Sequence, residues 1–138
     1  MGDYYSLRFT AALTPQGAAR VRTLLHWGSW DTIHDSFAAM PRAHFIPFGS
    51  LSYEPDGWEQ ARDVQDVSGV PTWHVCCSIK AGADDTVLYF FRHVLPPMLL
   101  LPVKVEWYNE LTHKTELWLV TPDAQVCEVL ESPQPPTS

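Results

Sequence analysis

Between residues 4 and 12 large apolar side chains alternate with mostly polar ones. Tyr5, Leu7, Phe9 and Ala11 fall on one side of the alternation, and Tyr4, Ser6, Arg8 and Thr10 on the other. A period of two is that of a half-buried strand. Thr14-Pro15 then reads as a helix start, with Thr as N-cap and Pro at the first helical position. Ala18, Val21, Leu24 and Leu25 recur at spacings of three and four, the stripe of an amphipathic helix, and Gly28 offers a stop. Trp30, Ile33, His34 and Phe37 have helical spacing over a shorter piece that ends before Pro41.

A second strand is expected over 44–53. Pro47 and Gly49 interrupt it, so it should lie at a sheet edge or carry a bulge. A polar connection, 54–70, follows. The third strand alternates as clearly as the first, with Trp73, Val75, Cys77 and Ile79 set against His74, Cys76, Ser78 and Lys80. Asp84-Asp85 suits a helix N-terminus, Val87, Leu88, Phe91, Val94 and Leu95 form its apolar stripe, and Pro96-Pro97 stops it. Residues 103–110 and 115–121 read as a hairpin.

The resulting order is strand, helix, strand, strand, helix, strand, strand. The fold class this predicts is α+β: a ferredoxin-like split β-α-β arrangement (βαββαβ) with an additional C-terminal antiparallel strand and both helices on one face of the sheet. Strands one and three should be central. The expected domain is 1–122, followed by an acidic, Pro-rich, flexible tail over 123–138.

Length and composition narrow the function classes. The chain has 138 residues, 46% hydrophobic and 18% charged, so one domain with a packed core is expected. Three cysteines, two adjacent (Cys76, Cys77), do not make a disulfide framework and fit a reducing, cytoplasmic setting. No basic segment followed by an apolar stretch opens the chain, and the longest apolar run, 94–103, holds three prolines. It is well short of the ~20 residues a bilayer requires. No membrane partner is expected.

The formal charge is −7, which argues against direct binding to nucleic acid. The charge is concentrated. Residues 54–66 carry Glu54, Asp56, Glu59, Asp63 and Asp66 against Arg62, and the tail carries Asp123, Glu128 and Glu131. Such runs are usually solvated surface. The functional reading is a docking surface for a protein with a basic surface, because complementary charge speeds encounter and excludes wrong partners.

Two further groups stand out. His74 and Cys76 point the same way from one strand, with backbones ~7 Å apart at a rise of about 3.3 Å per residue, and are the candidates for nucleophilic or proton-transfer chemistry. Zinc requires three or four ligands, and no CxxC or HxxxH spacing supplies the rest. Neither a metal nor a cofactor is expected. Tyr108 and Trp118, on the terminal hairpin, are expected on the open sheet face as aromatic contact anchors. An RNA-recognition reading of that face fails on charge and on the lack of a Lys/Arg-Gly-Phe-type motif in the third strand.

The expected function is a non-enzymatic acidic binding protein acting by protein–protein interaction, in its most specific form a small inhibitor or nucleic-acid mimic directed at a nucleic-acid-handling or defence complex. The alternative is a small enzyme, a homodimer through the open sheet face, or a metabolite-binding domain using His74.

Overall fold

The computed structural model describes residues 4–27, 46, 58–59, 61–80, 84–109 and 112–129. Its elements are β1 (Tyr4–Ala12), α1 (Pro15–Trp27), β2 (Val64–Val67), β3 (Val70–Lys80), α2 (Asp84–Tyr89), β4 (Val103–Asn109), β5 (Lys114–Val120) and β6 (Val126–Val129). α2 runs on into a wider π-helical turn, Phe90–Val94, closed by the Leu95 N–H on the Phe90 carbonyl at 2.8 Å. A short 3-10 turn, Pro96–Met98, follows.

Among the described residues the sheet has six strands in the order β2-β3-β1-β4-β5-β6, and every neighbouring pair is antiparallel. β1 lies between β3 and β4, so Leu7 is flanked by Cys77 and Trp107, and Phe9 by Val75 and Val105. Partners across an antiparallel ladder share a face. One face therefore collects Leu7, Phe9, Ala11, Trp73, Val75, Cys77, Ile79, Val103 and Val105, all in the core with α1 and the α2 segment. The alternation along β1 and β3 is what puts them there.

α1 begins as the sequence predicts: Thr14 Oγ1 accepts the Gly17 N–H at 3.0 Å, satisfying one orphan donor of the first turn. Ala18, Val21 and Leu24 are buried, and Leu25 packs against them from the side. The helix approaches the 3-10 turn closely. A Cβ added at Gly17 would stand 2.7 Å from both Cβ and the carbonyl oxygen of Met98, so no larger residue fits. Trp73, fully buried, packs edge-on to Phe9 and donates its indole N–H to the Arg62 carbonyl at 3.1 Å.

Two features differ from the sequence expectation. The strand beside β3 is Val64–Val67, inside the stretch read as a connection, rather than 44–53. Ser68 and Gly69, both at positive φ, make the two-residue turn that joins it to β3. Such a turn matches strand twist, and Ser-Gly is a general turn marker. The 44–53 stretch lies outside the described residues except for Ile46, which is buried in the core. The sheet also gains a sixth strand, Val126–Val129, within the segment read as tail. Thr121 secures the turn before it, donating to Asp123 Oδ1 while its Oγ1 accepts the Gln125 N–H at 3.0 Å. No described helix is long and apolar enough to cross a membrane.

Candidate functional site

Among the described residues, two concave regions lie on opposite faces of the sheet. The first is on the helix face, where β4 and β5 extend beyond the packed core. The register places Tyr5 beside Asn109, Trp107 beside Glu116, and Trp118 beside Val105. With Leu88 of α2, the five polar or aromatic side chains of that group line a cavity of about 230 Å³. Tyr5 stands nearly perpendicular to Trp107, ring centres 5.4 Å apart. Trp107 and Trp118 are 6.2 Å apart and inclined at 38°. Trp118 Nε1 donates to Glu116 Oε1 at 3.2 Å, which fixes a carboxylate on the cavity wall.

This position corrects the reading of Trp118. Trp118 alternates with Leu117 and Leu119, and it would take the open face only if those leucines pointed inward. The hairpin register decides otherwise: Trp118 faces the same way as Val105 and packs against the core. Leu117 and Leu119 take the other face, where they are half-buried. Tyr108 does lie on the face away from the helices, opposite Thr115 and Ser6, with its hydroxyl 2.9 Å from His113 Nδ1. The two aromatics expected together are separated by the sheet.

The second concavity is on that other face. Arg8, Thr10, Glu59, Ala61, His74 and Cys76 line a shallow groove of about 240 Å³. Arg8 donates from Nε and Nη2 to the two carboxylate oxygens of Glu106, at 2.8 and 2.9 Å, and its guanidinium carbon lies 4.2 Å from the Trp58 ring centre. His74 Nδ1 is 3.2 Å from Thr10 Oγ1. The backbone of 61–63 runs along β3, with Cys76 N–H donating to the Ala61 carbonyl and His74 N–H to the Asp63 carbonyl. The face is not open at its centre: Ser6, Cys76 and Ser78 are 0–2% exposed. The Ser6 and Ser78 hydroxyls there are 3.0 Å apart.

His74, Cys76 and Glu59 thus share one groove, a juxtaposition the sequence did not reveal because Glu59 arrives from a separate segment. The other acids separate. Asp63 pairs through its backbone with His74, whereas Asp66 reaches α1, 3.6 Å from Arg22. Both are exposed. Glu54 and Asp56 lie outside the described residues. Among the described residues no three His, Cys, Asp or Glu side chains are placed to hold a metal ion. Tyr5, Trp107 and Glu116 were missed as a site; the run of aromatics at 107, 108 and 118 was the available signal, and the register that assembles them was not.

No protein-family model, curated protein or solved structure matches the chain.

Proposed function

We propose that the chain is a non-enzymatic binding protein that docks on a basic protein surface. The observation that carries this is the aromatic cavity on the helix face, where three rings and the Glu116 carboxylate meet on a chain of net charge −7. Concave, partly apolar sites with a few fixed polar groups are where proteins bind, and aromatic anchors are where interface energy concentrates. At about 230 Å³ the cavity is smaller than the 300–1,000 Å³ typical of sites for whole small molecules, so it suits one side chain of a partner.

Glu59, Asp63 and Asp66 follow the β2 edge and supply long-range attraction. A basic cleft straddling that edge meets carboxylates from both faces of the sheet, which is the form the inhibitor or nucleic-acid-mimic reading takes here. The strand order β2-β3-β1-β4 supports the ferredoxin-like description of the fold, and unbridged cysteines support a cytoplasmic setting.

The test compares the proteins retained by the immobilised wild-type chain and by a Glu59→Gln/Asp63→Asn/Asp66→Asn variant. Retained partners should be basic, and association with the variant should be several-fold slower at low salt. The difference should vanish near 1 M salt, where the screening length falls to about 3 Å. Equal association rates at low salt would remove the acids from this reading.

The groove of Glu59, His74 and Cys76 favours a second reading, a small enzyme or metabolite-binding domain. It predicts complete loss of biological activity in a folded His74→Ala chain. The docking reading predicts partner binding within about threefold of wild type, well under the tenfold that 1.4 kcal/mol represents.

A further inference from the structure

We infer that the cavity of Tyr5, Trp107, Trp118 and Glu116 is a cage for an alkylammonium group, the ε-ammonium of a partner's lysine and its N-methylated forms. This rests on the docking reading and names the group that reading leaves open.

Three observations carry it. The rings form walls rather than a slot: Tyr5 is at 85° to Trp107, and Trp118 at 38° to it. A planar guanidinium stacks best against one face or between parallel ones, whereas a rounded ammonium presents a similar surface to walls at any inclination. Next, the π-faces of Trp and Tyr attract cations, most strongly when the cation is desolvated. These rings are half-buried in a cavity also lined by Leu88, which keeps bulk water from part of the wall. Finally, the carboxylate is held in place. Glu116 Oε1 accepts the Trp118 indole N–H at 3.2 Å, which keeps a negative charge on the wall of the cavity before any ligand arrives.

Charge selectivity follows from the same parts. A neutral group of equal shape would gain the apolar contact but neither the ring-quadrupole attraction nor the Glu116 charge. Methylation of the ammonium keeps its charge, spreads it over a larger apolar surface and weakens its hydration, so affinity should rise from lysine to trimethyl-lysine.

The probes are tetramethylammonium, blocked trimethyl-lysine, blocked lysine, guanidinium and neutral 3,3-dimethylbutanol, titrated into the full chain. The readouts are the indole N–H signals of Trp107 and Trp118 in heteronuclear NMR, with calorimetry alongside. Tetramethylammonium and trimethyl-lysine should shift both indole signals and saturate, with dissociation constants on the order of millimolar for such small ions. Guanidinium and the neutral alcohol should bind at least several-fold more weakly.

Glu116→Gln keeps the side chain's shape and an oxygen that accepts the Trp118 indole N–H. It should weaken the cations at least threefold and leave the alcohol unchanged. Trp118→Leu should abolish saturation, with the backbone amide spectrum reporting that the sheet is intact. Should that variant unfold, the Glu116→Gln comparison still decides. Equal binding of alcohol and tetramethylammonium, or no indole shift with either cation, overturns the cage. If the cage fails while the β2-edge variant still loses its basic partner, the docking reading survives without it. If partner capture is insensitive to salt and to the acids while tetramethylammonium binds, the docking reading is the one that fails.

Discussion

The guanidinium of Arg8 lies 4.2 Å from the ring centre of Trp58 and tethers the segment that lines the His74–Cys76 groove to the central strand. Arg8 itself donates two hydrogen bonds to the Glu106 carboxylate, so the ring meets a cation of fixed orientation. A partly exposed contact of this kind contributes about 0.5–1 kcal/mol.

Trp58→Ala should therefore loosen the segment and let the Ala61–Cys76 bridge open more often. Cys76, now 2% exposed, should alkylate about fivefold faster, the factor corresponding to roughly 1 kcal/mol of local opening. Cys77 faces the helix side and should not change. Peptide mapping after timed iodoacetamide labelling separates the two adjacent thiols, and an unaltered Cys76 rate would show that Trp58 tethers nothing.

The thiols of the native protein should divide one against two. Cys127 is exposed on β6, and Cys76 and Cys77 are buried on opposite faces of β3. Titration with a thiol reagent should give a single fast equivalent, assigned to Cys127, and two that appear only on denaturation. Intact mass should correspond to three free thiols, since adjacent strand residues point apart. Two fast equivalents would contradict the burial of Cys76.

Gly17→Ala is expected to destabilise the protein although alanine is the better helix former. Helix propensity favours the change by up to about 1 kcal/mol. Against that, the new methyl would stand 2.7 Å from the Met98 carbonyl oxygen, a backbone atom that cannot rotate away. Overpacking of this sort costs about 1–3 kcal/mol. Urea unfolding should show a lower midpoint for Gly17→Ala and a near-neutral Gln16→Ala control. A midpoint raised by Gly17→Ala would mean that the helix and the 3-10 turn separate freely.

Trp73→Phe should cost about 1–3 kcal/mol through lost ring volume and the loss of its hydrogen bond to the Arg62 carbonyl. That bond joins β3 to the segment leading into β2. Amide exchange of residues 61–67 should accelerate more than that of β4. Uniform acceleration across the sheet would indicate a purely global effect.

The sequence by itself determined the elements whose own residues carry a periodic signal. The two-residue alternation of Tyr5 to Ala11 and of Trp73 to Ile79 was sufficient for β1 and β3, because burial of one face is written into each strand separately. Thr14, Pro15 and the stripe through Leu24 did the same for α1. β2 and β6 escaped because four-residue edge strands carry too few alternations, and their pairing rests on turns at Ser68-Gly69 and Thr121 to Gln125 rather than on an apolar run. The candidate site was less legible still. Which face Trp118 takes depends on the registration of β5 against β4, and a shift of one residue would reverse it. The meeting of Tyr5, Trp107 and Glu116 requires three strands in register, and that of Glu59 with His74 requires a distant segment to fold across the sheet. Those are long-range choices settled by the joint burial of the core, and no local pattern encodes them.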